Sequence, residues 1–354
     1  MSEVQKKRRF GFFRWIVLAL ILIGIYAAFI GPSILKPVRP AIVLPPEAVW
    51  PGLEILGIPL TNTMLATLIA DLILFWMALR VSRFVKSGAM VPSGVSNFFE
   101  AIFEFLWNAV DSSTGKWARR VIPLVATIFL LIFVANMVKL VPGFESIGYL
   151  EPPPKGTGYA PVPLFNIFGH TVYTLDSAQP VKLEAEAAAS EGSESAPAEG
   201  EHEMCKACQV VPFLRGSATD LNFTIALAVI AVLMTQVYGV MALGPGYFGK
   251  FFQFGRLVNG GIFGVIDFGV GILELILEFA KILSFSFRLF GNVFGGAALL
   301  AIIGSLLPVI LPAGLYLFEM LFGIIQAYVF YLLATVFISM AAVSHHSEET
   351  AEAH

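Results

Sequence analysis

Long apolar stretches alternate with short polar segments along most of the chain, and these stretches predict its membrane helices. A helix that crosses the hydrocarbon core of a bilayer needs about 20 predominantly apolar residues. The last two stretches are longer than a perpendicular span, which predicts tilt or partial coverage by other subunits. The pattern therefore predicts an all-α polytopic membrane protein with about six membrane helices, the last two long and tilted. These helices are Trp15–Ile30, Thr61–Val81, Val121–Val141, Asp220–Leu243, Val258–Leu307 and Val309–Val343.

A seventh helix is predicted between the second and third spans, at Gly94–Thr114. Its polar residues recur every three to four positions, which places them on one helical face. The opposite face carries Phe98, Phe103 and Trp107. This amphipathic pattern predicts a helix lying along the membrane interface. Because the polar face is acidic, docking on protein is favoured over attraction to anionic lipid.

The first apolar stretch follows a basic patch, a combination found in cleavable signals and in retained anchors. Its length, and the lack of a clear small-residue cleavage site before Pro32, favour an anchor. Lys and Arg concentrate on the cytoplasmic side of membrane proteins. They follow this rule best when both termini are cytoplasmic. The outer segments then hold only Lys36, Arg39, Lys155, Lys182, Lys206 and Arg215.

Composition limits the possible functions further. The chain is 57% hydrophobic and only 13% charged, against about 25% charged residues in soluble domains. Its net charge of −3 argues against a nucleic-acid partner, which would need a concentrated basic surface. No phosphate-binding Walker loop is present, so no nucleotide chemistry is expected of the chain itself. No cofactor is predicted.

The segment at about 142–217 is predicted to be a long outer loop. Its part Glu184–Glu203 is rich in Glu, Ala and Ser, which favours a lack of fixed structure. Cys205 and Cys208 are the only cysteines, and in an oxidising exterior a short disulfide is the favoured interpretation. A metal site that includes His202 and a redox motif remain alternatives.

Three basic residues lie within apolar stretches: Lys139, Lys281 and Arg288. A charge near the bilayer centre costs at least about 2.5 kcal/mol, and such residues commonly mark ion paths. Lys139 lies about one turn from a span end and is expected to extend to the outer surface. Arg288 lies in the middle of its stretch, so its side chain is not expected to reach either membrane surface in this way.

The charges around Arg288 follow a regular pattern. Asp267, Glu274, Lys281 and Arg288 are seven residues apart and share nearly one helical face, and Glu319 and Gln326 have the same spacing on the last helix. Two successive polar faces predict one hydrated or protein-covered route. The alternative is a structural network in which Glu274, Glu278 and Lys281 neutralise one another while Arg288 pairs with Glu319.

Three motifs in the second half of the chain resemble subunit a of F-type ATP synthases. They are FSFRLFGNVFGG at 285–296, IQAYVF at 325–330 and the weaker TDLNFT at 219–224; residues 135–142 also echo the end of the third span. The resemblance covers most of residues 60–343. It implies a membrane domain at 60–343, with the outer loop at about 142–217 as an insertion. The N-terminal helix and the outer loop lie outside the resemblance, and the predicted domain order is an anchor and outer linker at 1–59, the membrane domain, and a cytoplasmic tail at 344–354.

The resemblance implies that Arg288 faces a rotating ring of c subunits. An arginine remains protonated under essentially any condition, so it favours the ionised form of a ring carboxylate and separates two half-channels. By position, Glu319 and Gln326, with Asp220, Asn222 and Asn292, would serve the outer route. Glu274 and Glu278, with Lys281, would serve the cytoplasmic route. Asp220 has a helix cap as an equal alternative, and Asn292 has a helix-packing role.

Two departures from the family pattern concern charged positions. Some bacterial members carry an acid nine residues after the arginine and a histidine on the last helix. Ala297 and Glu319 stand at those positions here, as though the carboxylate had moved across the helix pair. Lys139 stands where some relatives have an acid.

The resulting expectation is a non-catalytic ion-translocating stator subunit. Its implied partners are the c-subunit ring, peripheral-stalk b-type subunits, the remaining synthase subunits and lipid. The absence of an Arg- and Ser-rich transit segment favours a bacterial plasma membrane. Protons and sodium both remain open as the coupling ion. A secondary transporter is the rival, but internal repeats typical of that class are not seen. A structural anchor would leave Arg288 unexplained.

Overall fold

The computed structural model of the chain describes residues 12–33, 36, 38, 43–50, 54–55, 57–88, 94–153, 157–167, 170–182, 205–251, 261–306 and 310–342. The predicted unstructured segment 184–203, His202, the tail 344–354 and the side chain of Asp267 lie outside the described residues. The described helices are α1 Phe12–Ile25, α2 Asn62–Lys86, α3 Val95–Thr114, α4 Ala118–Val138, α5 Leu221–Leu243, α6 Gly261–Leu306 and α7 Ile310–Ala342.

The helices confirm the prediction of an all-α polytopic membrane protein. Five described helical segments, containing α2, α4, α5, α6 and α7, have the length and apolar composition needed to cross a membrane. Helix α1, extended by a π-helical turn at Tyr26–Ile30, is a shorter apolar helix. The second predicted span ended five residues too early, because α2 continues to Lys86.

The last two helices are the longest. Helix α6 has 46 residues and α7 has 33. At 1.5 Å per residue they are about 69 Å and 50 Å long, well beyond a hydrocarbon core of about 30 Å. Tilt, or extension beyond the bilayer, follows from these lengths.

The chain divides into two compact units. The helical unit comprises Leu44–Phe144, Leu214–Gly295 and Met320–His354. Its core is formed by α3, α4, α5 and the parts of α6 and α7 that belong to it. The predicted amphipathic helix is α3, which packs against α4 and buries Leu106 and Val110 completely while Phe103 stays half exposed.

Tyr331 ties α7 to α3 in the middle of this core. Its side chain is fully buried, and its hydroxyl donates a hydrogen bond to the backbone carbonyl of Leu106. We expect Tyr331→Phe to destabilise the protein by about 1 kcal/mol, the usual net value of one such bond. Thermal unfolding of the purified complex would show a lower midpoint.

Tyr328 offers the matched control, because its hydroxyl makes no hydrogen bond with the described residues. Tyr328→Phe should leave the midpoint unchanged. Equal shifts for the two variants would contradict the assignment of the stabilisation to the Tyr331 hydroxyl.

The hairpin unit comprises Met1–Val43, Glu145–Phe213 and Gly296–Glu319. Two antiparallel strand pairs form within it, and the sequence pattern did not predict them. A bridge between Tyr159 and Cys208 joins the two pairs. The strands are β3 Gly148–Glu151 paired with β6 Gln209–Pro212, and β4 Thr157–Ile167 paired with β5 His170–Lys182; the two-residue strands β1 Glu54–Ile55 and β2 Ile58–Pro59 pair in the helical unit.

Close packing of the β3–β6 pair requires a glycine. A Cβ atom placed on Gly148 would lie 1.8 Å from the carbonyl oxygen of Val211.

Next to this pair, Cys205 and Cys208 form the predicted disulfide, and Cys208 is completely buried. In the same unit the Ser33 hydroxyl and the Ala178 N–H both lower the pKa of Asp176, which keeps that carboxylate charged.

Candidate functional site

Helix α6 presents Arg288 on an exposed face. The neighbouring side chains of Phe285, Ser286 and Leu289 are at most 2% exposed, so they anchor the opposite face of the helix in the core. Arg288 itself is exposed, and Phe287 beside it is 55% exposed. Arg288 Nη2 lies 3.4 Å from Ser284 Oγ, and this is its only polar contact among the described residues. An arginine on an apolar exterior is thus left without a carboxylate partner there.

Two contacts hold α6 in the rotation that exposes Arg288. The Phe285 ring packs on Phe330 of α7, with ring centroids 4.6 Å apart. The hydroxyls of Thr224 on α5 and Ser286 on α6 lie 3.0 Å apart and are almost completely buried. Because burying a hydroxyl is unfavourable unless it is hydrogen-bonded, this pair resists rotation of α6.

Further along the helical unit, α5 and α6 share a connected polar cluster. Lys281 Nζ donates to Glu278 Oε1 at 2.8 Å, and Gln236 Nε2 donates to Glu278 Oε2 at the same distance. The Tyr247 hydroxyl donates to Gln236 Oε1, also at 2.8 Å. Glu278 is only 8% exposed, whereas the nearby Glu274 is half-buried. We call Gln236, Tyr247, Glu278 and Lys281 the polar cluster.

The polar cluster contains two residues that the sequence prediction missed. Gln236 lies in the apolar second half of α5, far from Asn222 at its start, and an amide in that position was the available signal. Tyr247 lies in the segment after α5, and nothing in the sequence places it near α6. The ion pair between Glu278 and Lys281 confirms the predicted neutralisation for those two residues.

Gln326 on α7 is enclosed in the helical unit. Gln326 is 6% exposed, and its Nε2 atom has no hydrogen-bond partner among the described residues. Nearby, Asn136 Nδ2 donates to the carbonyl of Gly323 at 3.2 Å. An unpaired buried amide is unfavourable by itself. Gln326 is therefore suited to a partner that arrives from elsewhere, such as an ion-carrying group.

Glu319 on α7 packs against α6 within the hairpin unit. A Cβ atom placed on Gly296 would lie 2.9 Å from Glu319 Oε1. The missing side chain of Gly296 thus leaves room for the carboxylate of the half-buried Glu319. Gly296 precedes Ala297 in the sequence, and the exchange of acid positions between the two helices stays a prediction.

Of the remaining predicted residues, Asp220 and Asn222 lie at the start of α5, whereas Asn292 lies within α6. Asp220 is the cap of α5: Oδ1 accepts the backbone N–H of Asn222 at 2.9 Å, and Oδ2 accepts the Thr63 hydroxyl at 3.2 Å. The cap alternative is thereby confirmed for Asp220. Asn222 is exposed. Asn292 is half-buried, and its amide makes no hydrogen bond with the described residues, so the packing alternative receives no support.

Comparison with known proteins decides the family. The family model described as ATP synthase A chain matches residues 64–339, which is most of the chain and runs from near the start of α2 to near the end of α7. The chain belongs to the ATP synthase A chain family. Helix α1 lies before the matched residues. As a subunit a family member, the chain is a membrane subunit of the ATP synthase complex and is not itself catalytic.

Curated relatives match the chain over most of their own length. ATP synthase subunit a of Moorella thermoacetica is 25% identical over 81% of this chain and 94% of that protein. The sodium ion specific ATP synthase subunit a of Propionigenium modestum is 27% identical over 87% and 84%. ATP synthase subunit a of Mycobacterium marinum is 28% identical over 83% and 90%.

Lys139 differs from its expected placement in this subunit a family member. It forms the C-terminal cap position of α4 and is only 8% exposed, so protein encloses it. The prediction that its side chain extends to the outer surface is therefore wrong. The physical reason is that neighbouring protein, and not solvent, surrounds the Lys139 side chain.

Proposed function

We propose that this chain is the ion-translocating stator subunit of an F-type ATP synthase, with two half-channels that meet at Arg288. The observation that carries the proposal is the exposed Arg288 side chain with one long polar contact on an apolar helix face. A permanent cation there favours the ionised form of a carboxylate on a rotating ring of c subunits. The same cation opposes direct ion passage between the half-channels.

The outer half-channel is assigned to residues near Glu319 and Gln326. Glu319 supplies a carboxylate against Gly296, and the unpaired Gln326 amide supplies a donor in a buried setting. Asn292 and Asn222 would line this route, and Asp220 would support it from the start of α5. Ions would reach the ring carboxylates through this route and travel with them through lipid.

The inner half-channel is assigned to Glu274 and Glu278, with Lys281 as the ion-pair partner of Glu278. These acids precede Arg288 by about three to four helical turns on α6. Their position agrees with both termini in the cytoplasm, the orientation that the distribution of Lys and Arg favours. We place the complex in a bacterial plasma membrane, with b-type peripheral-stalk subunits as further partners.

The coupling ion in this proposal is the proton or sodium. One matched relative is named as sodium ion specific, and the others carry no ion in their names. Selection would depend largely on the ring carboxylate, because that group binds the ion during rotation.

Cross-linking from the Arg288 face tests the proposal directly. Gly291 is exposed, lies three residues beyond Arg288, and has nothing within 4 Å of a Cβ atom placed there. We expect Gly291→Cys, labelled with a bifunctional reagent that joins a thiol to any neighbouring group, to cross-link to a small ring-forming subunit. Mass spectrometry of the purified complex would identify the product.

Leu72→Cys on α2, at a residue that is 58% exposed, is the matched control. It should react with the reagent but yield no ring product. A secondary transporter would give no ring product from either position, and that result would overturn the proposed function.

A further inference from the structure

The face of α6 that presents Arg288 carries a second cation. Lys281 lies seven residues earlier, which is about two turns and 10.5 Å along the helix. A flexible ammonium at that distance would attract the same ring carboxylate, since opposite charges interact strongly in a low-dielectric interface. Selective capture by Arg288 therefore requires that Lys281 be restrained.

The polar cluster supplies that restraint. Lys281 Nζ is held by Glu278 at 2.8 Å and lies 4.8 Å from the centre of the Phe337 ring. Glu278 accepts a second hydrogen bond from Gln236, which is itself fixed by the Tyr247 hydroxyl. Each member thus orients the next, and the Lys281 side chain is only 25% exposed.

The base of the cluster is rigid because of a glycine. Tyr247 is 3% exposed, and a Cβ atom placed on Gly239 of α5 would lie 2.4 Å from its ring. The ring therefore packs directly on the α5 backbone. This contact fixes the hydroxyl that holds Gln236.

We propose that Gln236 and Tyr247 are positioning residues that keep Glu278 bound to Lys281 and so withhold Lys281 from the ring carboxylates. The inference rests on the proposed function and adds to it two residues outside the predicted half-channels. We call this restraint of Lys281 by Glu278, Gln236 and Tyr247 the tether. When the tether is intact, Arg288 is the cation on this face that attracts a ring carboxylate. When the tether is broken, Lys281 also attracts the carboxylate and slows the release of that carboxylate from the interface.

Gln236→Leu in the assembled complex tests the tether. We expect ATP-driven ion uptake into inverted vesicles to fall about tenfold, the equivalent of one hydrogen bond to a charged group. Tyr247→Phe, which removes only a hydroxyl, should give a smaller decrease. Thr235→Val is the matched control and should pump normally, because among the residues that the structure describes the Thr235 hydroxyl bonds only the Ala231 carbonyl of the same helix.

A double variant separates the tether from a general packing defect. Adding Lys281→Met to Gln236→Leu removes the competing cation, so uptake should rise above that of Gln236→Leu alone. A packing defect predicts equal or lower uptake, because the double variant also loses the ion pair. That result, or normal uptake in both Gln236→Leu and Tyr247→Phe, would overturn the inference.

The proposed function and the tether fail in different ways. If Arg288→Ala abolishes uptake while Gln236→Leu and Tyr247→Phe pump normally, only the tether is wrong. If Arg288→Ala pumps normally, the proposed function is wrong whatever the tether variants do.

Discussion

Arg288→Ala abolishes ATP-driven ion uptake in inverted vesicles while the complex still assembles: this is the largest effect that we expect. Arg288 is exposed and makes one long contact, to Ser284, so its removal disturbs little of the fold. The loss should be about 100-fold or more, as for the removal of other preorganised electrostatic groups. Uptake would be measured with a pH-sensitive dye and with radioactive sodium.

Two further variants sharpen the test of Arg288. Arg288→Lys keeps a charge but should still fail, because a lysine covered by the c-subunit ring in the proposed interface would lose its proton readily, and it lacks the planar fork. Phe287→Leu, at the exposed apolar neighbour, is the control and should pump normally. A rise in passive leak in Arg288→Ala would support the barrier role. Normal uptake would leave the arginine without the proposed mechanism.

Glu319→Gln is expected to have the second largest effect, on ion flow in both directions. Its carboxylate lies against α6 at Gly296. In the proposed outer half-channel, the carboxylate would take up an ion at this position and pass it on toward the ring. A positioned acid–base group contributes about 100-fold or more to proton transfer, so proton-driven ATP synthesis should fall by about that factor. An imposed pH gradient in vesicles gives the measurement.

Neighbouring glycines provide the comparison for Glu319. A methyl group on Gly296 would press against Oε1 at 2.9 Å, so Gly296→Ala should show an intermediate loss. Gly314→Ala on α7 meets nothing within 4 Å and should synthesise ATP normally. Unchanged synthesis in Glu319→Gln would remove Glu319 from the outer half-channel.

Much of the architecture was predictable because its signals are local. Membrane helices follow from runs of apolar residues, and α3 follows from its amphipathic period; its predicted range agrees with Val95–Thr114 to within one residue. The arginine motif around Arg288 and the glutamine motif around Gln326 were read directly from the chain, and the family match agrees with them. The roles of these site residues stay predictions until the variants are measured.

Other features depend on pairings between distant segments. The strands β3 and β6 are separated by about 60 residues, and their short, Gly- and Pro-containing sequences carry little strand signal of their own. Likewise, nothing local reveals that Tyr247 reaches Gln236 or that Gln236 reaches Glu278 on another helix. Only the packing of α5 against α6 creates these contacts.

Hydropathy and motifs, which are properties of consecutive residues, determined the membrane helices, the family and the candidate residue Arg288. The tertiary structure alone decided which polar groups meet: Glu319 with Gly296, Asp220 with Thr63, and Lys281 with a carboxylate anchored from α5. It also decided that Lys139 is enclosed. The physical reason is that the burial and partner of a charge depend on the helices that pack around it, and one-dimensional periodicity defines a face without naming its neighbour.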